Sequence, residues 1–142
     1  MNEKRNIITE IWKLSHHYGE LLYTCENLYQ ENEGLACINI LYLTLEKIIK
    51  FSLENESIKL VDAINTLKDT GFINHQECKF LHDIRKKRNM IIHNNDFSLC
   101  YEKDGIAYML DDNDSYLVLY DDISLQTFTI LLKIIKKTNK LS

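Results

Sequence analysis

The chain contains no proline and only four glycines, Gly19, Gly34, Gly71 and Gly105, in 142 residues. Few positions can therefore break a helix, and long helices are expected. No uninterrupted apolar run approaches the roughly 18 residues that span a bilayer, and the opening segment mixes charges with its apolar residues, unlike a secretory leader. The sequence thus predicts a protein of the cytoplasm with no membrane contact. Its four cysteines, Cys25, Cys37, Cys78 and Cys100, form no close pair and no metal-ligand spacing, as for free thiols in a reducing compartment. There is no glycine-rich phosphate loop, no serine-centred nucleophile elbow and no zinc-finger pattern. Asp111, Asp112 and Asp114 lack the glycine and terminal glutamate of a calcium loop. His16-His17, and Cys78 with His82, are poor metal sites. No metal or cofactor is expected.

The length suits one domain with a real core. Apolar positions recur at three- and four-residue steps from about Glu3 to Gln30, through Ile8, Ile11, Leu22 and Cys25, and predict a first helix. Gly19 marks either a kink or a close crossing within it. Glu31 to Gly34 is a break, followed by a helix over about 35–53. A third helix over about 57–70 exits at Gly71, and a fourth begins where Asn74 and Glu77 form a capping-box pattern and reaches about His93, ended by Asn94-Asn95. Three short extended runs are then expected, at 97–102, 106–110 and 115–120, with Asp111 to Asp114 joining the last two as a hairpin and Asp104-Gly105 able to turn an earlier strand into it. A final helix capped by Asp121, Asp122 or Ser124 runs to about Lys137. The expected fold is all-α: one domain over 1–142, an antiparallel up-and-down bundle of about five helices, with a small β-hairpin insertion over about 97–120 before the last helix.

Acidic side chains outnumber basic ones, 21 to 17, which argues against a protein that coats long stretches of nucleic acid. Against that background Arg85, Lys86, Lys87 and Arg88 form one dense positive block, able to attract RNA locally or to serve merely as a solvated helix face. Arg85, Asn89 and His93 lie four apart and form a ladder flanked by Arg88. A guanidinium can hold a phosphate and an imidazole can exchange protons near neutral pH, which together suit phosphodiester cleavage without metal.

Arg88-Asn89-Met90-Ile91-Ile92-His93 resembles the Arg-polar-x-x-x-His motif of the HEPN superfamily, whose catalytic members are metal-independent ribonucleases, often toxins or phage-defence effectors. Residues 26–29 through 43–47 also look like the family's first helix, loop and second helix, so that the resemblance covers roughly residues 5–95. The resemblance implies an endoribonuclease yielding 2′,3′-cyclic phosphate and 5′-hydroxyl ends, with Arg88, His93 and Asn89 catalytic and Lys86 and Lys87 contacting RNA. Arg85 and Glu46 would support them, Glu46 either fixing the guanidinium or standing as a surface carboxylate. It also implies a homodimer whose two motifs meet in one groove, and an antitoxin partner such as a nucleotidyltransferase. In one variant of the family that partner modifies a tyrosine two residues after the histidine. Asn95 stands there in this chain, so steric silencing is the form left open. A non-catalytic HEPN-like module binding nucleotide or protein, and an unrelated helical adaptor, are the alternatives.

Overall fold

A computed structural model describes residues 2–93, 100–109 and 112–141. The fold is all-α, with six helices and a two-stranded antiparallel hairpin inserted before the last helix. Among the described residues no helix is long and apolar enough to cross a membrane.

The first expected helix is two. Helix α1 (Glu3–Leu14) starts where the Asn2 side chain accepts from the Lys4 and Arg5 amides at 3.0 and 3.3 Å. It stops at Ser15, whose extended backbone (φ −152°) breaks the helix while its hydroxyl accepts from the Tyr18 amide to cap α2 (His16–Gln30). Serine does both because its oxygen satisfies an orphan donor at the new N-terminus. Gly19 is therefore a crossing point and not the kink: a Cβ there would stand 2.5 Å from Trp12 Cα and Cβ, so only glycine lets α2 approach α1 this closely.

Helix α3 (Gly34–Ser52) is the axis of the bundle and packs most extensively on α6 and α2. Its first residue is wedged against the start of α6, where the Gly34 amide donates to Asn113 Oδ1 at 2.6 Å and Asn113 Nδ2 donates to the Asn32 carbonyl. Helix α4 (Leu60–Asp69) is shorter than its apolar pattern suggested and leaves through Gly71 at φ +81°. Helix α5 (His75–His93) opens on the expected box, with reciprocal 2.8 Å bonds between Asn74 and Glu77.

The hairpin joins the first two expected runs at Asp104-Gly105 and not the last two at Asp111 to Asp114. Strands β1 (Cys100–Lys103) and β2 (Ile106–Met109) pair Lys103 with Ile106 across a two-residue turn in which Asp104 and Gly105 both have positive φ, the backbone that Asp-Gly favours. Residues 115–120 are helical, not a third strand. Helix α6 (Asn113–Leu141) begins eight residues before the expected Asp121 cap and continues beyond Lys137, and its cap is Asp112, whose side chain accepts from the Ser115 amide at 2.8 Å. The run Ser-Tyr-Leu-Val-Leu-Tyr has no polar alternation to select a strand. Burial selects the helix: Tyr116, Leu119, Tyr120 and Ile123 fall at helical steps on the core side. Asn94-Asn95, expected to end α5, lie outside the described residues.

One buried apolar cluster draws on all six helices, from Ile8 and Leu22 through Leu41 and Leu67 to Leu81 and Phe128. Cys25, Cys37 and Cys78 are buried free thiols. Burial pushes the Cys25 thiol well above its usual range and that of Cys37 up to about 12, so neither is a nucleophile at neutral pH.

Candidate functional site

Helix α5 is fixed at both ends of its buried stripe. Near its start Lys133 of α6 pairs with Glu77 at 2.6 Å. Partial burial would raise the Glu77 carboxyl, but the bonds from Lys133 and the Asn74 amide outweigh it and hold the group below its usual range. Farther along, Leu81 and Ile84 face the core, and the Tyr42 hydroxyl of α3 donates to the Ile84 carbonyl at 2.8 Å.

Arg88 stands one turn beyond Ile84 and so continues the stripe that faces α3. A guanidinium on that side needs an acceptor, and Glu46 of α3 supplies it. Arg88 NH1 and NH2 donate to Glu46 Oε1 and Oε2 at 3.5 and 3.4 Å, fork against fork, with both side chains about three-quarters buried. Of the two sequence readings of Glu46, the structure gives the partner of the guanidinium. Lys50, one turn along α3, reaches the same carboxylate at 3.6 Å. Two cations share one anion, so the group keeps a formal charge of +1 (two minus one). That surplus attracts an anion such as a phosphate oxygen.

The remaining basic residues divide around the helix. Arg85 turns toward α4, where its Nε donates to His82 Nδ1 at 3.3 Å, while His82 Nε2 meets Asn65 Oδ1 at 2.8 Å. Partial burial first, then Arg85 and Lys86, lower the His82 imidazole below its ordinary value. His82 is accordingly neutral at pH 7, accepting at Nδ1 and donating from Nε2. Exposed Lys86 lies on this same side, bordering with Arg85 and His82 an open depression of about 500 Å³. Lys87 is half-buried and Asn89 is exposed. The structure thus joins Arg88 with Glu46 and sets Arg85 and Lys86 apart from them.

His93 is the last residue of α5. In a helix five residues turn through about 500° and rise about 7.5 Å, so His93 stands about 140° around from Arg88 and closer to the face of exposed Asn89. Arginine and histidine within one chain therefore occupy different faces of α5.

Sequence reasoning missed what lies beside the Arg88–Glu46 pair. Glu46 and Lys50 border a cleft of about 260 Å³ whose other walls include His17, Tyr18, Lys47 and Phe51. Lys50 was legible as the residue four after Glu46. The approach of Tyr18 to Phe51, 33 residues apart, had no local signal.

A separate ionic group ties α1, α2 and α6 together. Glu26 is fully buried; its Oε2 accepts from the Tyr120 hydroxyl at 2.5 Å and pairs with Lys4 at 3.2 Å, while its Oε1 has no partner. Lys4 Nζ also donates to Ser124 Oγ and sits about 5 Å from the ring centroids of Tyr29 and Tyr120. Burial, then the Glu26 carboxylate, push the Tyr120 phenol far upward, so it remains a donor. Tyr116 and Tyr120 are thus core residues of α6. Among the described residues no group of three or more metal-ligating side chains occurs.

Comparisons of the chain with protein-family models, with curated proteins and with solved structures give no match.

Proposed function

We propose that this chain is a metal-independent endoribonuclease of HEPN type, acting as a cytoplasmic homodimer in a toxin–antitoxin or phage-defence setting. One observation carries the reading: an arginine fork is held in place on the bundle by Glu46, with a surplus positive charge, five residues before the histidine that ends the same helix. Positioned charge and a proton-exchanging group are what cleavage of RNA needs.

The steps balance as follows. His93 of one chain takes the proton of a ribose 2′-hydroxyl, and O2′ attacks phosphorus. The P–O5′ bond breaks, and the partner's His93 gives a proton to the departing 5′-oxygen. Arg88 donates to the non-bridging oxygens as negative charge grows there. Asn89 orients the imidazole or donates to the phosphate, and Lys86 and Lys87 contact flanking RNA. The two roles of histidine require opposite protonation states at one time, and the faces of α5 separate Arg88 from His93 within a chain. Two copies related by a two-fold axis meet both requirements. An antitoxin, a nucleotidyltransferase among the candidates, would act by covering that groove.

The test uses end-labelled RNA in EDTA with the purified protein. Expected are 2′,3′-cyclic phosphate and 5′-hydroxyl ends, with an all-deoxy strand of the same sequence left intact because it lacks the nucleophile. Cleavage that EDTA stops, or cleavage of the deoxy strand, would contradict the mechanism.

A second reading is favoured by the same ion pair. An arginine whose fork is already filled by a carboxylate is also the design of a non-catalytic module, in which Arg88 joins α5 to α3 and the surface binds a nucleotide or a protein. RNA left whole under all conditions would select it.

A further inference from the structure

Two cavities meet at Tyr18 and Phe51. The outer one, bordered by Glu46 and Lys50, is the cleft beside Arg88. The inner one, about 280 Å³, shares His17, Tyr18 and Phe51 with it and is closed by Leu14, Ser52 and Ile135. Its lining is mainly apolar, and its size is near the lower end for ligand sites, suited to one flat ring system and not a whole nucleotide.

We infer that this inner cavity is a nucleobase-binding subsite, seating one base of a single-stranded RNA whose adjoining phosphate lies at Lys50 and Arg88. The inference rests on the nuclease reading and adds the substrate contact that reading lacks.

Four features carry it. Phe51 is 55% exposed at the mouth of the cavity, a large apolar ring more exposed than Leu35 or Leu43 of the same helix. Tyr18 meets it edge-on at 6.0 Å, which fixes the ring as one wall of a stack. Ser52 lines the cavity, and its hydroxyl oxygen is buried without any hydrogen-bond partner, an unpaired polar atom that the edge of a base can satisfy once the side chain turns toward the cavity. The charge pattern fits as well: Glu46 is consumed by Arg88 and Lys50, and Lys47 is exposed at the rim, so cations line the path from the cavity to Arg88, opposed by exposed Glu56. From Glu46 to Phe51 the rise along α3 is about 7.5 Å, the scale of one nucleotide.

The experiment measures binding of short single-stranded deoxy homopolymers of each base, by fluorescence anisotropy, and RNA cleavage in parallel. It compares wild type, Phe51→Ala, and Leu35→Ala, an exposed residue at the other end of α3. Because Phe51 is exposed, its truncation should leave the melting temperature nearly unchanged. Phe51→Ala is expected to weaken binding by about 10- to 100-fold, to raise KM for RNA by a similar factor with kcat little changed, and to level the differences between bases. Leu35→Ala should match wild type. If RNA stays whole but Phe51→Ala still weakens oligonucleotide binding, the nuclease reading fails and the base site stands. If RNA is cut while Phe51→Ala binds and cleaves like wild type, the base site is overturned and the nuclease reading stands. A wild-type protein that neither binds the oligonucleotides nor cleaves RNA overturns both.

Discussion

Replacing His93 by alanine is expected to lower RNA cleavage in EDTA by about 100- to 10,000-fold, the usual worth of a general acid–base group, and Arg88→Ala by about 100- to 1,000-fold. Arg88→Lys should recover little, because an ammonium cannot offer two parallel donors to a phosphate. Loss of fold does not account for such an effect. The Arg88–Glu46 pair is about one-quarter exposed and its carboxylate keeps Lys50, so removing Arg88 costs on the order of 1 kcal/mol of stability. Single-turnover rates, with circular dichroism melts of each variant, separate the two effects. An Arg88→Ala enzyme that cuts RNA at the wild-type rate would remove the guanidinium from the mechanism.

The largest effect on stability is expected far from that site. Glu26 has no exposure, and its charge is met by Lys4 and the Tyr120 hydroxyl. Lys4→Met leaves a buried carboxylate without a counter-charge, at a cost of about 3–5 kcal/mol, or a fall in Tm of about 10–20 °C for a chain of this size. Glu26→Gln should cost less, because Lys4 is 16% exposed and can keep its ammonium partly in water. Thermal melts of both variants at neutral pH check this. Equal melting temperatures for Lys4→Met and wild type at neutral pH would mean that the ion pair contributes nothing to the fold.

Local chemistry made much of the fold legible. Asn74 and Glu77 sit at the spacing of a reciprocal cap, and Gly71 at a left-handed exit; each is decided within a few residues of chain, and the structure has both. The break at Ser15 was hidden because apolar positions continue through it, and Gly19 drew attention as the weaker helix former, although its role is to admit Trp12. Residues 115–120 misled for a different reason. Their tyrosines and aliphatic residues suit either a strand or a helix, and what decides is burial of Tyr116 and Tyr120 against distant α2 and α3, which no short window contains.

The site divides in the same way. Helical periodicity places Arg85 and Arg88 on neighbouring faces, but which face meets which helix depends on how α5 packs. That packing sends Arg88 to Glu46 and Arg85 to His82. The pairing of Arg88 with Glu46 was open to the sequence only through the family resemblance, since the two are 42 residues apart. The cleft at Tyr18 and Phe51 was closed to it altogether.

The most direct test of a shared site is subunit mixing. Wild-type protein is equilibrated with increasing amounts of the Arg88→Ala/His93→Ala double variant, and the rate of RNA cleavage in EDTA is followed at a fixed amount of wild type. If two copies build each site, the rate falls toward zero as wild-type chains are drawn into mixed dimers. A rate that stays constant at every excess of the variant, with mixed dimers demonstrated in solution, would mean that each chain cuts RNA alone.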